Sequence, residues 1–128
     1  MNTYASKNLE SFLDFIRESK SLYKQAEMNE QEANDETQDI LHKIELENMK
    51  YHKLAQNAKI LKEIRKKRRD AKDTMTQLQP VNDWSETNSH IIKDLERLLG
   101  AARKAEKNTE NRIYTCRTDT PTERTTTK

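Results

Sequence analysis

The sequence predicts an all-α protein whose long helices form a coiled-coil-like helical hairpin or a three-helix bundle. Its 128 residues include one Gly and two Pro, and they are rich in Glu, Lys, Ala, Leu, Gln and Arg, which favour helices. Apolar residues recur at steps of three and four, the helical period. Strand-like alternation of β-branched or aromatic residues with polar ones is missing. Because 36% of residues are charged and 32% hydrophobic, little apolar material is available for a compact core.

A single all-α domain is expected over residues 1–114, followed by a disordered tail over residues 115–128. The tail, "TCRTDTPTERTTTK", has no apolar residue to anchor it beyond Cys116. This lone cysteine cannot form an internal disulfide, and no neighbouring His or Cys makes it part of a zinc site.

The first helix is expected over about residues 6–33 and the second over about residues 36–78. Between them lies the acidic stretch "EMNEQEANDETQD", in which Asp35 and Gln38 have the spacing of a capping box at a helix start. No Gly or Pro enforces this break. One helix from Ser6 to Leu78, roughly 110 Å long, is therefore the alternative.

The third helix is expected over about residues 84–112. Pro80 lacks a backbone N–H and disfavours helical geometry at Gln79, so the second helix should end there. Asp83 and Glu86 then form another capping box. Trp84, the only tryptophan, follows the bend and is predicted to anchor it by closing the end of the core.

The helical spacing of apolar residues predicts a helix–helix seam. On the third helix the apolar stripe covers roughly 140° of the surface, wider than the seam of a two-stranded coiled coil, and the first helix is similarly broad. Gly100 lies opposite this stripe, where it costs up to ~1 kcal/mol relative to Ala. Such wide faces predict self-association. The seam residues are Ile44, Tyr51, Leu54, Leu61, Ile64, Ile91, Leu95 and Leu98.

Two blocks of opposite charge favour an antiparallel homodimer. Residues 27–47 hold eight acids and one lysine, a formal −7, and residues 59–72 hold eight Lys or Arg and two acids, a formal +6. Their centres lie about 45 Å apart on a straight helix, so they cannot meet within one rod. Arg68 lies on the apolar stripe. Its guanidinium is expected to bind a carboxylate, either from an antiparallel second chain or from Glu96 in the same chain. Alternatively, the aliphatic part of the side chain lets the guanidinium reach solvent.

Four cations of the basic block, Lys59, Lys62, Lys66 and Arg69, share the helix face opposite the apolar stripe, and Arg65 is a further candidate contact. They could contact the phosphates of a nucleic acid or an acidic protein partner, although a charged face is also what solvent-exposed helices ordinarily carry. The net charge of only +2 and the lack of interleaved aromatic residues argue against nucleic acid. These candidate contact residues are Lys59, Lys62, Arg65, Lys66 and Arg69.

No catalytic residue, cofactor-binding residue or metal ligand is predicted. Asp39, His42 and Glu45 share a helix face, but a helical metal site needs matching ligands from a facing helix. The leading hypothesis is a non-enzymatic helical interaction protein, structural, adaptor or regulatory, which binds itself and an unknown protein partner. The alternative is a small nucleic-acid-binding protein. With no secretory signal or apolar run of membrane-spanning length, a cytoplasmic location without membrane contact is expected.

Overall fold

The computed structural model describes residues 4–112, which form three α-helices and no strand. Helix α1 spans Ala5–Leu46, α2 spans Tyr51–Thr87 and α3 spans Ser89–Glu110. The all-α prediction is confirmed. A long hairpin of α1 and α2, with α3 packed at one end, is consistent with both arrangements predicted from the sequence.

Helices α1 and α2 run antiparallel in constant register. Tyr23 Oη donates a hydrogen bond to Gln79 Oε1 at 2.7 Å, and Arg68 Nε donates one to Asn34 Oδ1 at 2.7 Å. Tyr23 and Asn34 are eleven residues apart on α1, and their partners Gln79 and Arg68 are eleven residues apart on α2, in the opposite order. The register therefore does not shift between the two pairs. The connection, residues 47–50, is as short as expected between antiparallel neighbouring helices.

The predicted break near residues 33–36 is wrong, and so is the single-rod alternative. Helix α1 continues through this stretch, where Ala33 is fully buried and Asp35 accepts a hydrogen bond from Gln31 at 3.1 Å instead of capping a helix. The chain reverses at residues 47–50, with extended backbone at Glu47 and Lys50 (ψ 139° and 156°). Neither Gly nor Pro marks this turn, which explains why the sequence pattern did not identify it.

The predicted helix end before Pro80 is also wrong, because α2 continues through this proline. Pro80 cannot donate to the Thr76 carbonyl, but both residues are exposed, so water can satisfy that carbonyl. The bend comes later, at Asn88. Its backbone N–H and its side-chain Nδ2 each donate to the Trp84 carbonyl at 2.9 Å. The capping box of Asp83 and Glu86 therefore lies inside α2 and starts no helix.

The seam between the helices is narrow and built largely from small or polar residues. Its buried members recur mostly at steps of three and seven, as in the heptad repeat of coiled coils. Large aliphatic side chains are a minority among them, so the helices bury little of their apolar surface against each other. The buried residues are Ser6, Leu13, Ile16, Ser19, Ala26 and Ala33 of α1, Asn57, Ile64, Ala71, Asn82 and Ser85 of α2, and Leu99 of α3.

The seam residues predicted from the sequence divide into three groups. Ile64 is buried in the α1–α2 seam, as predicted. Three others are half-buried: Ile44, Leu61 and Leu95. Four are exposed and contribute little to packing within the chain, namely Tyr51 (87% exposed), Leu54, Ile91 and Leu98.

Helix α3 packs mainly against the beginning of α1. Arg103 Nη2 lies 3.1 Å from Glu10 Oε2, and Ser6 hydrogen-bonds to Glu106. Both contacts lie at the open end of the hairpin, away from the connection at residues 47–50. In the register of the hairpin, α2 ends opposite Phe15, so the first turns of α1 extend beyond α2 and pack against α3.

Candidate interaction surfaces

The two charged blocks meet within one chain. Lys67 Nζ lies 3.9 Å from both Glu32 Oε1 and Glu36 Oε1. The blocks do not lie on one straight rod, because the reversal at residues 47–50 folds one block back onto the other, so their contact requires no second copy of the chain. The three side chains are half-exposed, and exposed pairs of this kind contribute only ~0.2–1 kcal/mol each. These ion pairs favour the hairpin register but contribute little to its stability.

Arg68 lies at the seam but does not bind Glu96 or any other carboxylate in residues 4–112. Its Nε donates to the side-chain oxygen of Asn34 at 2.7 Å, in a partly buried position. Asn34, which lies in the stretch where a helix break was predicted, thus serves as a polar partner across the seam. Together with the Tyr23–Gln79 pair, this contact penalises shifted registers, since a shift leaves the polar groups without their partners.

We define the basic surface as the five exposed cations predicted from the sequence on one face of α2. At 100° per residue, its centre lies about 165° from Ile64 of the buried row of α2. Lys67, which pairs with α1, lies on the opposite flank. Within residues 4–112, no member of the basic surface forms an ion pair or a side-chain hydrogen bond. The members are Lys59, Lys62, Arg65, Lys66 and Arg69; the last four line a shallow groove with Ala58, Leu61 and Glu63.

We define the apolar patch as Phe12, Phe15, Leu22 and Trp84. The rings of Phe12 and Trp84 pack edge to face, with centroids 6.4 Å apart and an interplanar angle of 82°. Phe15 and Leu22 continue the patch along α1. The exposed fractions of the four residues are 41%, 50%, 56% and 39% in sequence order. Large apolar side chains from both helices of the hairpin are thus left open to solvent on one flank.

Helix α3 does not cover this patch. Glu10, the α1 residue bound by Arg103 of α3, lies about 120–160° around the helix from Phe12, Phe15 and Leu22. Trp84, predicted to anchor a bend, lies in the last turn of α2, four residues before the bend at Asn88. Its carbonyl accepts the hydrogen bonds that form this bend, while its ring contributes to the apolar patch.

A polar contact between α1 and α3 could not be predicted from the sequence. Glu106 Oε2 accepts a hydrogen bond from the Ser6 backbone N–H at 3.1 Å, and Glu106 Oε1 accepts one from Ser6 Oγ at 2.6 Å. These two hydrogen bonds hold the pKa of the Glu106 carboxyl below its usual 4.5. The contact satisfies a free N–H at the start of α1, where negative charge is also favoured by the helix dipole. Its partners are 100 residues apart in sequence, so no local pattern reveals it.

Residues 4–112 contain no group of three His, Cys, Asp or Glu side chains placed to hold a metal ion. Asp39, His42 and Glu45 are all exposed along α1. None of α1, α2 and α3 has a stretch long and apolar enough to cross a bilayer. The predictions for Cys116 and for the tail, residues 115–128, lie outside the described residues.

No protein-family model matches this sequence, and comparison with curated proteins and with solved structures gave no match. Hypotheses about function therefore depend on the chain's own surfaces.

Proposed function

We propose that this chain is a non-enzymatic helical interaction protein that self-associates and binds a protein partner through its apolar patch. The observation that carries the proposal is the exposure of Phe12, Phe15, Leu22 and Trp84 on one flank of the hairpin. Contiguous apolar patches of several hundred Å² on a protein surface commonly mark interaction sites.

The size of the patch suits the centre of an interface. If each of its four side chains has ~200 Å² of surface, the exposed fractions leave roughly 400 Å² open to solvent. A stable protein interface buries about 800 Å² on each partner, with an apolar and aromatic centre and a polar rim. The patch could supply about half of this area, and the flanking charged residues of α1 and α2 could supply the rim.

A second copy of the chain is the partner we favour. In a twofold dimer the same patch is used on both molecules, so two exposed aromatic clusters are buried by one contact. The charged blocks give little reason to prefer an antiparallel over a parallel pair, since they already meet within each hairpin. Burial of the apolar patch supplies the affinity of the proposed dimer.

Equilibrium sedimentation at micromolar concentration tests the proposal. The wild-type chain should sediment as a dimer, and F15Q/L22Q should sediment as a monomer because it places two polar amides in the centre of the contact. The matched control is M28Q/L98Q, which changes two equally exposed apolar residues outside the patch and should remain dimeric.

A wild-type chain that is monomeric throughout, or an F15Q/L22Q variant that dimerises as tightly as M28Q/L98Q, would overturn this proposal. Circular dichroism of both variants shows whether they keep the helical content of the wild type. Full retention is expected, since all four positions are solvent-exposed.

A further inference from the structure

The basic surface forms no ion pair with the acidic block of α1, although three carboxylates of α2 lie within one helical turn of it: Glu63, Asp70 and Asp73. Of the cations in residues 59–72, Lys67 pairs with Glu32 and Glu36. The five members of the basic surface face away from α1 and form no ion pair with any residue between 4 and 112. Their charge does not serve to hold the hairpin together, and it is available to a ligand.

The basic surface is linear and one-sided. Lys59 and Arg69 are ten residues apart, which corresponds to about 15 Å along a helix. Four or five phosphates of one strand in a nucleic-acid duplex span a similar length at about 3.4 Å per nucleotide. Arginine can contact a phosphate with two parallel N–H donors, and the surface includes Arg65 and Arg69.

The chemistry of the face favours a phosphate backbone over an acidic protein. Protein interfaces draw most of their energy from aromatic or aliphatic groups in a dry centre. The groove beside the basic surface offers only Ala58 and the half-buried Leu61. The face has no aromatic side chain on which a base could stack, so recognition of splayed single strands is disfavoured.

We propose that the basic surface binds the phosphate backbone of a nucleic-acid duplex without sequence preference. The acidic block of α1 lies on the other side of the hairpin, so only one face of the molecule can approach the duplex. This activity is independent of the apolar patch, because the two surfaces share no residue. A dimer formed through the patch would present two such faces.

Fluorescence anisotropy with a labelled DNA duplex of about 20 base pairs tests the inference through its salt dependence. If the five cations neutralise up to five phosphates, we expect a slope of about −4 to −5 in a plot of log Kobs against log salt concentration. The variant K59Q/K62Q/R65Q/K66Q/R69Q should bind at least ~100-fold more weakly at low salt, since it lacks every proposed phosphate contact. Single changes, K66Q or R69Q, should each reduce the magnitude of the slope by about 1.

The matched control is K20Q/K24Q/K93Q/K104Q/K107Q, which removes the same formal charge from exposed positions elsewhere. It should retain the slope and most of the affinity. The inference is overturned if the wild-type chain fails to bind at low salt, or if both fivefold variants lose binding equally, since net charge alone would then be responsible. The single variants provide the deciding measurement if the fivefold variant loses its helical circular dichroism.

Discussion

Replacing Ala33 with leucine tests whether α1 passes unbroken through the seam. Ala33 is 0% exposed and belongs to the buried row of α1. Leucine adds three carbon atoms at a position with no solvent-facing space. Overpacking of this kind typically costs ~1–3 kcal/mol. If residues 33–36 instead formed a helix break, this side chain would lie at a helix end and the substitution would cost little stability.

The matched control is A101L, the same substitution at an exposed position within α3. Alanine and leucine have similar helix propensities, so A101L should change stability by less than ~0.5 kcal/mol. For a chain of this length, ~1–3 kcal/mol corresponds to a fall in Tm of roughly 4–15 °C. Thermal unfolding followed by circular dichroism measures both variants. They must be compared at one protein concentration because self-association would stabilise the folded state.

Equal Tm values for A33L and A101L would refute the buried position of Ala33 and with it the unbroken α1. A reduced Tm for A33L alone would support the narrow, small-residue seam. That seam explains why larger apolar side chains remain on the flanks of the hairpin.

Three further predictions concern single contacts. Gly100→Ala should stabilise the chain by ~0.5–1 kcal/mol in urea unfolding, because Gly100 is helical and nothing lies within 4 Å of an added Cβ; destabilisation would contradict this. The pKa of Glu106 is lowered in the folded state. Its contribution to the stability of the fold is therefore present above pH ~4.5 and is lost as pH falls through the folded-state pKa. Stability should fall more steeply below pH ~4.5 for the wild type than for E106Q, and parallel profiles would contradict the Ser6 contact. A double-mutant cycle of R68A and N34A should give a coupling of ~0.5–1.5 kcal/mol, whereas additive effects would argue against their hydrogen bond.

The fold class could be predicted from the sequence because helical periodicity and a near absence of Gly and Pro are local properties. The positions of the turns could not. The reversal at residues 47–50 lacks Gly and Pro, and Pro80 is tolerated inside α2 because its side of the helix faces solvent. Capping boxes at Asp35 and Asp83 have the right spacing, but packing against the partner helix keeps both stretches helical.

The candidate surfaces were predicted in part. The one-sided arrangement of Lys59, Lys62, Lys66 and Arg69 follows from helix geometry, and the structure leaves all four exposed. The composition of the seam could not be predicted, since the chain buries residues such as Ser19 and leaves larger apolar side chains outside. Which face of an amphipathic helix is covered depends on partners far away in sequence.

The most direct test of this account is the distance between spin labels at positions 38 and 66, because the hairpin defines both candidate surfaces. Both positions are exposed, and Cys116 is replaced by serine so that only the introduced cysteines react. Double electron–electron resonance is recorded with an excess of unlabelled chain, which isolates the distance within one molecule. The hairpin predicts a short distance, with helix axes ~8–10 Å apart and labels within roughly 20 Å. A distance of about 42 Å, the separation of these positions on one continuous helix, would contradict the hairpin.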